Sequence, residues 1–161
     1  GGGERRDVLE GFTRKVLSFI DTAQVRPLKV VLDGASGMSG TMLQQVLPAL
    51  PIHAVPFFME PDGRFPDHQP NPLLEENRRF IVEKVRSEGA DLGIAWDGDA
   101  DRCFFVDDTG EFVAGDFITA LIAESMLEMS RLPTPTFMTS ECQPAPSTMF
   151  ISKRSSDRFE K

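Results

Sequence analysis

Three aspartates at alternate positions, Asp97, Asp99 and Asp101, are the residues of this chain with the clearest chemical potential. They directly follow an apolar, strand-like run at residues 92–96. In an extended backbone, alternate side chains point the same way, so the three carboxylates can converge on one point. Carboxylate oxygens are the ligands that hard divalent cations such as Mg²⁺ or Ca²⁺ prefer. The pattern predicts a metal loop, and the alternative is an acidic, solvated turn between two strands.

Two other kinds of metal site do not suit this sequence. A calcium-binding helix–loop–helix needs Gly at the sixth position of its loop and Glu at the twelfth. Counted from Asp97, those positions hold Arg102 and Asp108, and the flanking segments read as strands. A zinc site is disfavoured as well, because the two cysteines and two histidines of the chain lack paired ligand spacing.

The elements that must position this loop alternate between strand and helix, which predicts an α/β fold. We expect a single domain with a mixed four-stranded sheet flanked by helices. The link from the third strand to the fourth is too short for a crossover, so these two strands must be antiparallel. A last helix beginning near Asp116 is expected to complete the core. The predicted strands are residues 28–32, 52–58, 92–96 and 103–106. The side chains that the last helix should bury are Ile118, Leu121, Ile122, Ser125 and Met129.

Three motifs, taken in order, resemble the second domain of the α-D-phosphohexomutases, the phosphomannomutase and phosphoglucomutase family. The string KVVLDGASGMSG at residues 29–40 resembles the strand, glycine loop and helix that open that domain. The string PDGRFPDHQPNP at residues 61–72 resembles the family's proline-rich loop. The string ADLGIAWDGDADRC at residues 90–103 resembles its metal-binding loop. The resemblance implies the same mixed α/β architecture.

The resemblance implies roles for five residues. Asp97, Asp99 and Asp101 match the ligands of the family's Mg²⁺, which works beside a phosphoserine during phosphoryl transfer. Arg102 matches a catalytic arginine placed to offset phosphate charge, although a salt bridge that holds the loop is an equal alternative. His68 lies in the loop at the rim of the family's active cleft, where we predict substrate binding or positioning.

The resemblance also implies a phosphorylated hexose as substrate and the remaining domains of a larger enzyme as partners. That enzyme would interconvert hexose 1-phosphate and hexose 6-phosphate through a bisphosphorylated sugar. The family's phosphoserine motif and its other substrate-binding motifs are missing from the sequence, so the chain alone is expected to be inactive. The alternatives are a non-catalytic Mg²⁺-binding module, or a truncated homologue that pairs with a partner chain.

Composition and charge set broader limits. The chain has 161 residues and a net charge of −8, which argues against a nucleic-acid or anionic-membrane partner. Two cysteines give no disulfide framework, and neither a membrane-spanning run nor a signal peptide is apparent, so we predict a cytoplasmic protein. We divide the chain into a tag remnant with a helix at residues 1–27, the metal-loop domain at 28–130, and a disordered or non-native tail at 131–161. Cys103 is interpreted as a small buried apolar residue.

Overall fold

The computed structural model describes residues 3–4 and 6–131, with side chains described as far as Leu127. Most of the tail predicted for residues 131–161 therefore lies outside the described residues. Short 3₁₀ turns at Thr22–Gln24 and Leu47–Ala49 supplement the main elements. The helices are α1 (Leu9–Leu17), α2 (Ser39–Val46), α3 (Glu75–Glu88) and α4 (Gly115–Arg131), and the strands are β1 (Lys29–Asp33), β2 (His53–Phe57), β3 (Leu92–Trp96), β4 (Cys103–Asp107) and β5 (Phe112–Val113).

The strands form one open mixed sheet in the order β2-β1-β3-β4-β5. Strands β1, β2 and β3 are parallel, so their carboxyl ends meet at the same edge. Strand β4 runs antiparallel to β3, with Trp96 opposite Cys103, which confirms the prediction drawn from the short connection. The α/β class and the mixed sheet are likewise confirmed, but the predicted number of strands is wrong. The fifth strand is the two-residue β5, which pairs with β4 after a tight turn and is too short to show a period of its own.

The core lies between the sheet and α3. Ile81 and Val85 of α3 pack with Val31 and with buried residues of β3 and β4, and all are almost fully shielded from water. A Cβ atom at Gly93 would lie 2.7 Å from Val85 and 3.0 Å from Ile81, so a glycine in β3 allows the helix to approach closely. Helix α3 ends at Gly89, whose φ of 56° is the left-handed conformation that glycine adopts readily at a helix end.

Helix α4 differs from the sequence prediction. Leu121 and Ile122, expected in the core, are 41% and 51% exposed, and Phe117 and Met126 are more exposed still. Only Ile118 and Ser125 of the predicted set are half-buried, and the side chain of Met129 is not described. The physical reason is position: α4 continues from β5 at the edge of the sheet, whereas α3 covers the central strands. Among the described residues, no helix has the length and apolar character needed to cross a membrane.

Candidate metal centre

Three loops meet beyond the carboxyl ends of the parallel strands. They are the glycine turn at residues 34–38, the proline-rich loop, which in the structure extends over the whole connection between β2 and α3 at residues 58–74, and the metal loop at residues 97–102. Within the described part of the chain, every non-glycine residue with a positive φ lies in one of these loops. Such residues cost free energy and persist where the surrounding structure holds them, which is common at functional sites. They are Ala35, Ser36, Phe58, Phe65 and Ala100.

The metal loop brings the three predicted aspartates together. One carboxylate oxygen from each of Asp97, Asp99 and Asp101 lies within 4.8 Å of the other two. Asp97 is 1% exposed, while the other two side chains reach solvent. A tight turn makes this possible, because the Ala100 N–H donates to the Asp97 carbonyl at 3.1 Å and Ala100 adopts a φ of 60°. The arrangement therefore has one buried carboxylate and two exposed ones.

Arg102 neutralises the buried member of this group. Its backbone N–H donates to Asp97 Oδ1 at 3.1 Å, and its guanidinium donates to Asp97 Oδ2 at 2.6 Å. A longer contact of 3.3 Å joins Arg102 Nε to Asp101 Oδ1. Burial alone would raise the pKa of Asp97, but the hydrogen bonds and the charge of Arg102 outweigh burial and hold that pKa below its usual value. The salt bridge considered from the sequence is present, and the catalytic role of Arg102 stays a prediction.

The donor set fits a hard divalent cation. Asp97 is held ionised, and the three carboxylates offer oxygen ligands only. Mg²⁺ prefers such ligands and keeps several waters, so three protein oxygens at an open surface suit it. The two exposed carboxylates can adjust to the short distances between ligands that an octahedral ion requires.

His68 is buried within the proline-rich loop. Its Nε2 is 3.1 and 3.2 Å from the two carboxylate oxygens of Asp33, and its Nδ1 is 2.9 Å from the Gln69 carbonyl oxygen. The ring stacks on Phe80 at a centroid distance of 5.1 Å and meets the edge of Phe58 at 5.6 Å. Substrate binding by His68 stays a prediction, whereas these contacts are those of a residue that positions a loop.

Gly98, between the first two aspartates, is the point where the three loops touch. The Met38 N–H of the glycine turn donates to the Gly98 carbonyl at 3.0 Å. On its other side, a Cβ at Gly98 would lie 3.2 Å from the Phe65 ring and 3.3 Å from Pro70, both in the proline-rich loop. The metal loop is thus held from two directions by its neighbours.

Sequence reasoning missed two acidic residues that join these loops. Asp33, at the end of β1, binds His68 and also accepts the Ala35 N–H at 2.9 Å. Asp67 accepts the Ser36 hydroxyl at 2.8 Å. The sequence signals an Asp-Gly turn at Asp33 but gives no indication of a partner 35 positions away. Cys103 was also misjudged: it is exposed, because β4 begins there at the end of the loop.

Fold and site together define an α/β domain with a cluster of three carboxylates beyond the carboxyl ends of its parallel strands. Residues 9–110 match the family described as phosphoglucomutase/phosphomannomutase, alpha/beta/alpha domain II. The chain belongs to this family, as a copy of its second domain, and the resemblance noted from the motifs is confirmed.

Individual relatives agree with this assignment. The chain is 45% identical over 116 residues to the phosphohexose mutases protein of Xanthomonas campestris pv. campestris strain B100, a match that covers 72% of this chain and 26% of that one. It is 36% identical over 127 residues to a phosphomannomutase/phosphoglucomutase of Pseudomonas aeruginosa, covering 79% and 27%. A crystal structure of a phosphoglucomutase/phosphomannomutase family protein from Burkholderia thailandensis superimposes with a TM-score of 0.70 at 31% identity, covering 79% and 27%. The chain spans about a quarter of the length of these proteins.

Proposed function

We propose that this chain is the Mg²⁺-binding domain of a phosphohexomutase that interconverts hexose 1-phosphate and hexose 6-phosphate. The observation that carries the proposal is the carboxylate triad, in which Asp97, Asp99 and Asp101 bring one oxygen each within 4.8 Å of the others. Relatives named phosphomannomutase/phosphoglucomutase support the reaction class. Phosphoryl transfer depends largely on charge stabilisation, and such a site suits that need.

Each residue of the site has a part in this proposal. Asp97, Asp99 and Asp101 would hold Mg²⁺, which when bound draws negative charge from a transferring phosphoryl group. Arg102 keeps Asp97 ionised, and its side chain is 55% exposed, so guanidinium N–H groups are available to a phosphate. The remaining domains of the enzyme would supply the phosphoserine and the sugar-binding groups. We therefore expect no mutase turnover by this chain alone.

A calorimetric Mg²⁺ titration tests the metal site. Asp99→Asn removes one ligand charge at an exposed position, so the fold should be kept while the Mg²⁺ affinity falls by roughly tenfold or more, since even changes behind the ligands cost about 10–100-fold. Asp108→Asn is the matched control, because Asp108 is exposed and lies beyond the opposite end of β4. Equal affinities for wild type and Asp99→Asn would contradict the proposal.

A further inference from the structure

Asp33 contacts both of the loops that hold Gly98, the glycine turn and the proline-rich loop. Its Oδ1 accepts the Ala35 N–H at 2.9 Å, which fixes the glycine turn, and its carboxylate faces His68 Nε2 at 3.1 and 3.2 Å, which fixes the proline-rich loop. Asp33 is 1% exposed, and the side chain of His68 is 4% exposed. A buried carboxylate is costly unless it is paired and hydrogen-bonded, and this one is both.

The contacts of His68 favour its charged form. The Gln69 carbonyl can only accept, so Nδ1 is placed to donate to it. On the other side of the ring, Nε2 faces both carboxylate oxygens of Asp33. The ring is also stacked on the face of Phe80, where a cation is favoured. With both ring nitrogens engaged internally, the ring acts through the loop it anchors.

We propose that Asp33 and His68 are a positioning pair for the metal loop: their contact holds the glycine turn and the proline-rich loop around Gly98, and so fixes Asp97 and Asp99. The inference rests on the proposed function of those aspartates. The connection is continuous, because Met38 donates to the Gly98 carbonyl from one side and Phe65 packs on Gly98 from the other. Outer residues that orient metal ligands commonly matter for metal affinity.

The first test compares Mg²⁺ affinities by calorimetry. Asp33→Asn and His68→Gln should each weaken binding by roughly tenfold, in the range typical of residues behind the ligands. The double variant should lose little more than either single variant, because the two residues act as one unit. Asp91→Asn is the matched control, since Asp91 accepts the Lys29 N–H at 2.9 Å at the opposite end of the sheet. Wild-type affinity in both single variants, or an equal loss in the control, would overturn the inference.

A second readout requires no metal. The Met38 amide is hydrogen-bonded to Gly98, so its hydrogen exchange reports the contact between the glycine turn and the metal loop. Val31 in the core of β1 reports the stability of the whole fold. His68→Gln should accelerate exchange at Met38 relative to Val31, whereas Asp91→Asn should leave that ratio unchanged. A wild-type ratio in His68→Gln would show that the pair does not hold the loop.

The ratio of hydrogen exchange at Met38 to that at Val31 should also depend on pH. Burial opposes protonation of His68, but hydrogen bonding to Asp33, the charge of Asp33, the Gln69 carbonyl and the charge of Asp67 together raise its pKa above the usual value. The other groups packed on the ring, Phe58 and Phe80, do not titrate. Because the pKa is raised, the stabilisation from the charged ring is complete below pH 6.5 and is lost as pH rises through the raised value, where the neutral ring keeps only one of its two N–H donors. The Met38 to Val31 exchange ratio should rise over that interval in wild type and stay flat in His68→Gln; a wild-type ratio as flat as that of His68→Gln would show that the charge on His68 does not help to hold the loop and would count against the inference.

The proposed metal site and the proposed positioning pair are refuted by different results. If Asp99→Asn leaves Mg²⁺ binding unchanged, the metal site is wrong, and the exchange ratio still decides whether the pair positions the loop. If Asp99→Asn weakens binding while Asp33→Asn and His68→Gln do not, the metal site stands and the positioning pair is refuted.

Discussion

Gly37→Ala is the substitution that most directly tests whether the glycine turn supports the metal loop. A Cβ at this position would lie 2.6 Å from the Gly98 carbonyl oxygen and 3.0 Å from the Gly98 Cα, and both are backbone atoms that cannot rotate away. The two loops would have to separate by roughly 0.5–1 Å to restore ordinary van der Waals contact. The Met38 to Gly98 hydrogen bond, 3.0 Å long, would be stretched or lost.

The size of the effect follows from these contacts. Inserting a methyl group into a closely packed site costs about 1–3 kcal/mol, so the free energy of unfolding should fall by that amount. Asp97 and Asp99 flank Gly98, and we expect the Mg²⁺ affinity to fall by roughly tenfold, which corresponds to about 1.4 kcal/mol. Urea denaturation measures the first quantity, and calorimetry on the folded variant measures the second.

Gly63→Ala is the control for Gly37→Ala. Gly63 lies in the proline-rich loop, and an added Cβ would meet nothing within 4 Å. That variant should be unchanged or slightly more stable, since alanine restricts the unfolded chain. If Gly37→Ala matches Gly63→Ala in stability and in Mg²⁺ affinity, the close approach of the two loops has no energetic importance.

Two further predictions concern parts of the chain away from the metal loop. A chain truncated after Ala114 should still unfold cooperatively on heating, with a midpoint temperature close to that of the chain ending at Arg131. The reason is that the core cluster lies between α3 and the sheet, whereas α4 is largely exposed. A non-cooperative thermal transition would show that α4 is part of the core. Glu88 accepts hydrogen bonds from Lys29 at 2.8 Å and Lys84 at 3.0 Å, which lower its pKa to about 2. Because that pKa is depressed, the stabilisation from Glu88 is lost as pH falls from about 4.5 through about 2. In Glu88→Gln, the free energy of unfolding measured in urea should therefore depend less on pH over this interval. An unchanged pH profile would contradict the ion pairs.

Local patterns predicted most of the strands because each strand is defined by its own residues. The run at residues 92–96 became β3 with the same bounds, and the short acidic connection forced β4 to return antiparallel. Helix α4 shows the limit of this reasoning. Apolar spacing indicates that a helix has a face to bury, but it does not indicate what covers that face. In this chain the pattern correctly predicted a helix, and the assumption that the sheet would cover it was wrong.

The candidate site was likewise predicted only in part. Asp97, Asp99 and Asp101 were found because the alternate spacing of three like charges is visible in six consecutive residues. Asp33 was missed because its partner, His68, is 35 positions away and is brought to it only by the path of the proline-rich loop. The ring of His68 contacts Phe58, at the start of the same loop, and Phe80, in α3. Contacts between loops are tertiary facts, and a single sequence does not display them.

The backbone conformations of the loops indicate why these long-range contacts matter. Phe58 and Phe65 adopt φ values of 52° and 49°, which are unfavourable for bulky side chains and cost on the order of 1–3 kcal/mol each. Each of these residues also makes a contact between loops: the Phe58 carbonyl accepts the Ser36 N–H at 2.7 Å, and the Phe65 ring packs on Gly98. The strain is therefore offset by contacts that exist only when all three loops are assembled. In the metal site that we propose, Asp97 is already held by contacts within the protein, and preorganisation of this kind reduces the cost of binding.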